Sequence, residues 1–251
     1  MSSVVVSAIA FAVIFAGAFL GALLRRALPQ HHLADDAKDV VRLGTGLVAT
    51  IAALVLGLLI AAAKSSFDTQ STQVRGMTAN IILLDRVLAQ YGPEARPARE
   101  LLRRAIDPLA ERIWRENSSA TARDAPFADA PEAAIVIAKI QDLAPQNDAQ
   151  RSFKAQAIQT VTEIAQARLL LFEQADSSIP MPFLAVLVFW LTIIFASFSL
   201  FARLNPTLVA VLFVFALSAS CAVFLILELS QPFAGLMQIS STPLRNALAP
   251  L

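Results

Sequence analysis

The sequence predicts an all-helical integral membrane protein, with four transmembrane helices and a helical insert outside the membrane between the second and third of them. Of the 251 residues, 57% are hydrophobic and only 16% are charged, whereas soluble domains carry roughly 25% charged residues. The mean hydropathy is +0.63. Four uncharged runs of about 20 residues account for the excess of hydrophobic residues. At about 1.5 Å per helical residue, each run covers the roughly 30 Å hydrocarbon core of a bilayer.

The same composition excludes several other classes of protein. Intrinsic disorder requires low hydrophobicity and high net charge, and neither is present. A formal net charge of +1 does not favour nucleic-acid binding. Cys221 is the one cysteine, so an intrachain disulfide framework and a cysteine-only zinc cluster are both excluded.

The first apolar run covers residues 4–24, where Ser7 is the only polar side chain. A cleaved signal peptide is the alternative to a membrane span here. Nothing basic precedes Val4, the run is too long, and Arg25 and Arg26 follow it, so an uncleaved anchor is expected. The other runs cover 43–63, 183–202 and 207–227. Because every backbone amide in lipid needs an internal partner, all four should be helices.

Residues 64–182 separate the second and third runs and hold 14 basic and 15 acidic side chains, as an ordinary soluble helical domain does. A heptad-like seam opens this insert: Phe67, Val74, Met77, Ile81, Leu84 and Leu88. No Gly-Pro break precedes the seam. One helix is therefore expected from about Leu43 to Tyr91, leaving the membrane as a stalk and ending at Gly92-Pro93.

Three further helices are expected in the insert, over 94–117, 131–143 and 147–177, with a loop at 117–131. The stalk and the last helix should be antiparallel partners in a small bundle. The domain organisation predicted is residues 1–63 for the first two spans, 64–182 for the extramembrane helical domain, 183–227 for the last two spans, and 228–251 for an amphipathic tail. That tail should lie on the membrane or dock against the bundle. The inward-facing positions expected are Ala98, Leu102, Ala105, Leu109 and Ile113, then Phe153, Ala157, Val161, Ile164 and Leu171.

An even number of spans places both termini and the insert on one side of the membrane. Basic residues near the span ends set orientation. They are close to balanced here and leave the orientation open: Arg25, Arg26, Lys38, Arg42 and Arg203 flank the short loops, and Lys64, Arg75, Arg168 and Arg245 flank the other side.

A stripe of small residues on the second span is the main candidate for function. Its members are separated by three or four residues and share one helical face that leads to a cation: Gly46, Thr50, Ala53, Gly57, Ile60 and Lys64. Such a stripe usually lets two helices pack closely. The alternative is that it lines a pore around an oligomer axis, where Lys64 would raise the local anion concentration.

Two weaker candidates lie near span ends. Glu228 follows the fourth span, and an ionisable group there is a functional candidate, although an interfacial glutamate in contact with water and headgroups is commoner. In the first loop, His31, His32, Asp35 and Asp36 have the spacing of metal ligands on a helix. A solvated charged loop is the commoner explanation, and no metal or other cofactor is expected.

No enzyme motif is present in the sequence. It contains neither a glycine-rich phosphate loop nor a nucleophile elbow, and the only histidines are His31 and His32. An intramembrane enzyme is disfavoured because no apolar run contains a charged residue or a histidine.

Two segments of the chain resemble the bestrophin-like domain family of bacterial and plant membrane proteins. The first comprises Ser66–Gln70, Val74-Arg75-Gly76 and Leu83–Glu94, and the second comprises Glu228–Gly235 with Ile239-Ser240 and Pro243-Leu244. The family pattern has an aspartate where this chain has Ser230, so no role of an acidic pair is carried over.

The resemblance implies a homo-oligomer of four-span subunits that conducts small inorganic ions, with anions expected, around a central axis. The implied location is the bacterial inner membrane, with the insert cytoplasmic by analogy with bestrophins. The partners implied are further copies of the chain and the lipid bilayer. The alternative is a non-conducting oligomeric scaffold or sensor, in which the stalk heptads drive oligomerisation and the insert binds a partner or signal.

Overall fold

The structure is a computed structural model that describes residues 2–29, 35–118, 131–175, 181–202 and 205–248. Within these ranges every regular element is helical, which confirms the predicted fold class. The helices are α1 (Ser3–Ala27), α2 (Asp35–Tyr91), a short 3-10 helix (Pro93–Ala95), α3 (Arg96–Ser118), α4 (Pro131–Gln141), α5 (Asp148–Ala175), α6 (Met181–Phe201), α7 (Pro206–Leu229) and α8 (Thr242–Arg245). The predicted loop at 117–131 lies almost wholly outside the described residues.

Four of these helices are long and apolar enough to cross a membrane, namely α1, α2, α6 and α7. They contain the four predicted apolar runs, except that α6 ends at Phe201, one residue before the end of the third run. The start of α2 was predicted eight residues too late, because the charged residues after Asp35 were assigned to the preceding loop. Alanine, lysine and arginine are good helix formers, so charge alone does not end a helix.

The chain divides into two compact units. Unit 1 comprises Met1–Ser66 and Ile179–Ser230, and unit 2 comprises Phe67–Ser178 and Gln231–Leu251. Unit 1 therefore holds α1, the first part of α2, α6 and α7. Unit 2 holds the remainder of α2, α3 to α5, and the tail with α8.

Close packing of α1 against α6 organises unit 1. A Cβ atom added at Gly17 would lie 2.7 Å from the carbonyl oxygen of Thr192, and one added at Gly21 would overlap the backbone of Ala196. Only glycine allows these two backbones to approach so closely. The α7 helix is bound to α1 by a buried hydrogen bond of 2.6 Å, in which the Ser220 hydroxyl donates to the carbonyl oxygen of Ser7.

The predicted seam on α2 forms the core of unit 2. Val74, Met77, Ile81, Leu84 and Leu88 are all buried, and Phe67 packs at the edge of the same core. These side chains contact residues of α3, α4 and α5 and of the tail. The expectation that the seam drives oligomerisation is therefore wrong, since helices of the same subunit already cover it.

The α2 and α5 helices are antiparallel, as predicted. Near the end of α2, the Gln150 amide donates to the carbonyl oxygen of Tyr91 at 3.1 Å. Eleven residues earlier on α2, the Asn80 amide donates to Glu163 at 3.3 Å. Gly92 ends the helix with φ of 130°, a backbone conformation that favours glycine, and Pro93 opens the 3-10 helix.

An ion pair joins α2 to α3 within unit 2. The Nε and Nη2 atoms of Arg99 donate to the two carboxylate oxygens of Asp85, at 2.8 and 2.7 Å. The Nη2 atom of Arg103 lies 3.9 Å from the same carboxylate. The hydrogen bond to Asp85 raises the pKa of Arg99. Asp85, which belongs to the first family-like segment, thus has a structural role.

The C-terminal tail packs into unit 2. Phe233, Ile239 and Leu244 are buried in the same core as the α2 seam. The indole N–H of Trp114 on α3 donates to the carbonyl oxygen of Ile239 at 3.1 Å, and the rings of Trp114 and Phe233 meet edge to face at 5.4 Å. Of the two places expected for the tail, the structure shows docking against the helical bundle.

Candidate functional site: the open face of α2

The first part of α2 is the least covered membrane-type helix of unit 1. Within its most apolar stretch only 11% of the residues are buried, compared with 28–33% for α1, α6 and α7. A helix with so little cover in one subunit has most of its surface available for other contacts, whether lipid, a second copy or water.

Three faces can be distinguished on this part of α2, because successive residues of a helix are rotated by about 100°. Ala52, Leu59 and Ala63 form the buried face, and the first two of these belong to a core that includes Leu184 and Leu187 of α6. The other two faces are exposed. We call them the small-residue face, which comprises Gly46, Thr50, Ala53 and Gly57 and leads to Lys64, and the large-residue face, which comprises Leu43, Leu47, Ile51, Leu54 and Leu58.

The small-residue face makes no close packing contact within the subunit. A Cβ atom added at Gly46 or at Gly57 would find no heavy atom within 4 Å. The Thr50 hydroxyl donates to the carbonyl oxygen of Gly46 at 2.9 Å along the same helix. In the isolated subunit these small residues therefore do not serve helix packing, in contrast to Gly17 and Gly21 of α1.

The predicted pore residues do not all lie on this face to the same extent. Gly46, Thr50, Ala53, Gly57 and Lys64 are exposed, but Ile60 is half-buried and packs against the core shared with α6. Ile60 lies at the edge of the face because it is rotated by about 40° from its centre line toward the buried side. Lys64 is not without an interaction partner in the structure.

Arg42 is not among the predicted pore residues, because the sequence predicts it in the first loop. The structure places it inside α2, one turn before Gly46. The signal that could have identified it is the spacing of four residues from Gly46. The uncharged small-residue face is thus preceded by Arg42 and followed by Lys64.

Glu228 lies in the last turn of α7 and is only 2% exposed. The expectation that this carboxylate contacts water and headgroups is wrong for the subunit, because the whole terminal turn, Ile226 to Leu229, is buried. A buried carboxylate requires compensating partners, and Glu228 is not without a partner in the structure. Its role as a functional residue stays a prediction.

The suggested metal ligands are not tested by the structure. His31 and His32 lie outside the described residues, and nothing is described of the side chains of Asp35 and Asp36. Across the part of the chain that is described, no group of three or more His, Cys, Asp or Glu side chains could hold a metal ion.

Comparison with known proteins identifies a family and a fold. The model of the Bestrophin-like domain family matches residues 12–244. Among solved structures, two crystal structures of a bacterial bestrophin homologue from Klebsiella pneumoniae, each with a single substitution, have TM-scores of 0.69. The first is 14% identical in sequence, and the alignment covers 95% of this chain and 94% of the homologue. The second is 15% identical, and the alignment covers 98% of this chain and 95% of the homologue. None of the curated proteins matches.

Proposed function

We propose that this chain, which belongs to the Bestrophin-like domain family, is an oligomeric membrane ion channel. In this proposal the small-residue face of α2 lines the pore. The chain is a membrane protein by its family and by its four long apolar helices. The proposal concerns what the exposed faces of α2 do once several copies assemble.

The observation that carries the proposal is the open space around Gly46 and Gly57. Small residues in membrane helices are usually explained by close helix packing. Within this subunit that explanation applies to α1 and α6 and not to α2. A helix face that is small, uncharged and uncovered suits the wall of a path through which an ion moves.

Assembly of several copies around an axis follows from the two exposed faces. A single α2 cannot enclose a path, so the small-residue face must meet its counterparts from other copies. The large-residue face is rotated by about 100° from it, so when the small residues face an axis, the leucines point sideways toward lipid or a neighbouring copy. The partner that this arrangement requires is the same chain.

Anions are the ions that the charges on this face favour. Residues 43–63 contain no charge, while Arg42 precedes them at the edge of the small-residue face and Lys64 follows them on it. A cation at each end of an uncharged path raises the local concentration of anions and lowers that of cations. Conduction of this kind requires no cofactor.

We place unit 2 outside the bilayer and unit 1 within it, in the inner membrane of a bacterium. Most charged residues of the chain lie in unit 2, and its core is an ordinary packed helical core. Charged side chains are costly at the centre of a bilayer, so the apolar parts of α1, α2, α6 and α7 are the segments that lipid tolerates.

A flux assay in liposomes tests the proposal. The purified protein is reconstituted, and chloride efflux is followed for the wild type and for Gly57→Leu. The variant should assemble normally and conduct less, because a leucine at each copy of position 57 narrows the path. Gly44→Leu is the matched control, since Gly44 is equally open and lies about 140° away around the helix.

Two results would contradict the proposal. One is an efflux rate equal to that of empty liposomes from a wild-type protein that is assembled. The other is loss of assembly in Gly57→Leu but not in Gly44→Leu, which would mean that Gly57 packs against another subunit and that the protein is a scaffold.

A further inference from the structure

A second feature of unit 1 is a pocket between the start of α2 and the end of α6, which borders the proposed pore at Arg42 and Gly46. Its volume is about 450 Å³. Residues of α2 form one wall and residues of α6 the other: Lys38, Val41, Arg42, Thr45, Gly46 and Ala49, and Ser197, Phe198, Phe201 and Ala202.

The described side chains give this pocket a positive charge. Lys38 and Arg42 lie one helical turn apart and both are exposed, and none of the lining side chains that the structure describes is acidic. The Ser197 hydroxyl donates to the carbonyl oxygen of Ile193 at 2.9 Å, so the two cations are the groups in this pocket that can hold an anion. The charged end of the pocket is therefore built to receive an anion.

The other end of the pocket is apolar. From Lys38 to Ala49 the pocket runs about 16 Å along α2 at 1.5 Å per residue. Lys38 and Arg42 precede the apolar run that begins at Leu43, whereas Ala49 lies within it. The α6 wall also runs from the end of a helix into its interior. Phe201 is the last residue of α6, and Phe198 lies one turn before it with about half of its surface exposed.

This polarity matches the depth profile of a membrane. Helix ends lie at the level of the headgroups, where lysine and arginine meet lipid phosphates, and the interior of the span lies among the acyl chains. A soluble anion would use only the two cations, whereas a phospholipid would use the cations with its phosphate and the aromatic and small residues with its acyl chain.

We propose that this pocket binds one anionic phospholipid per subunit, with the lipid phosphate held by Lys38 and Arg42 and an acyl chain against Phe198. The inference requires that unit 1 lies in a membrane, and it does not require that the protein conducts ions. The second copy of the chain and a free phosphate are the other possible occupants, and the experiment below separates them.

The test is native mass spectrometry of the purified full-length protein in detergent, titrated with dioleoyl phosphatidylglycerol. Dioleoyl phosphatidylcholine and glycerol 3-phosphate are titrated in parallel. Phosphatidylglycerol should bind once per subunit and more tightly than either. One basic residue near an anionic lipid surface changes affinity by about fivefold, so Lys38→Ala/Arg42→Ala together should weaken phosphatidylglycerol binding by about thirtyfold.

Arg26→Ala is the matched control. Arg26 is an exposed cation at the end of α1, on the same side of unit 1 as Lys38, but it does not line the pocket. Its replacement should leave phosphatidylglycerol binding unchanged. Size-exclusion profiles and helical circular dichroism of the variants verify that they fold and assemble like the wild type.

Three outcomes would overturn the proposal. Equal affinity of the double variant and Arg26→Ala would show that phosphatidylglycerol binds elsewhere. Equal binding of glycerol 3-phosphate and phosphatidylglycerol would assign the pocket to a soluble anion. Dissociation of the oligomer in the double variant, with lipid binding retained, would assign the pocket to contact between subunits.

Discussion

Gly21 and Gly57 lie on membrane helices of the same unit, and the structure predicts opposite effects when each is replaced by alanine. At Gly21 the added methyl group would overlap the backbone of Ala196, including its carbonyl oxygen. Backbone atoms cannot turn away as a side chain can, so α1 and α6 must separate. At Gly57 the added methyl group meets no heavy atom within 4 Å.

The expected magnitudes follow from these surroundings. Overpacking of a well-packed interior costs about 1–3 kcal/mol, and for a chain of this size each kcal/mol corresponds to about 2–4 °C in melting temperature. Gly21→Ala should therefore lower the melting temperature by about 2–12 °C. In Gly57→Ala, removal of a glycine from a helix interior contributes about 0.5–1 kcal/mol of stability, which raises the melting temperature by about 1–4 °C.

The assay is the fraction of protein that remains monodisperse on size exclusion after heating in detergent, measured for the wild type and both variants. The oligomer peak at low temperature serves as the control for assembly. A decrease for Gly57→Ala as large as that for Gly21→Ala would refute the reasoning, because it would show that Gly57 is packed against another helix in the assembly.

Two further predictions follow. Lys64→Glu should shift the cation-to-anion permeability ratio toward cations by roughly fiftyfold. Reversing a unit charge about 7 Å from the ion path changes the energies of a cation and of an anion by about 1.2 kcal/mol each in water, in opposite directions. Reversal potentials in a potassium chloride gradient measure this ratio, and an unchanged ratio would place Lys64 away from the path. Asp85→Ala should destabilise the protein by about 1–2 kcal/mol, because two charge-assisted hydrogen bonds to Arg99 are lost. The loss is partly offset because the Arg99 side chain is 28% exposed and can bond to water instead. The melting temperature of Asp85→Ala should fall below that of the control variant Asp39→Ala, because Asp39 is an exposed acidic residue at the start of α2. Equal melting temperatures of the two variants would contradict the structural role of Asp85.

Much of the fold could be predicted because its signals are local. The length of an uncharged run indicates a span, and the spacing of Val74, Met77 and Ile81 indicates a buried helical face. The Gly92-Pro93 pair marks a helix end. Each of these signals depends on neighbouring residues along one helix, and the structure agrees with each of them.

The remaining features depend on contacts between distant segments. The same apolar spacing occurs in a seam that is covered by helices of its own subunit and in a seam that is covered by another subunit. The sequence therefore did not reveal that α3 and α5 cover the stalk. Glycines spaced along a membrane helix likewise serve packing or an open path. The spacing along α2 draws attention to Gly46 and Gly57 as residues for close packing or a pore, whereas within the subunit the close packing occurs at Gly17 and Gly21 of α1. The burial of Glu228 and the pocket between α2 and α6 have no signal along the chain.

The most direct test of the pore assignment is cysteine accessibility on α2. In a Cys221→Ser background, single cysteines are introduced on the small-residue face, at Thr50, Ala53 and Gly57, and on the large-residue face, at Leu54 and Leu58. Each reconstituted variant is then exposed to a charged, membrane-impermeant thiol reagent while flux is measured. The account predicts reaction and loss of flux for the small-residue face and neither for the large-residue face. Reaction confined to the large-residue face, or blocked flux from that face alone, would contradict it.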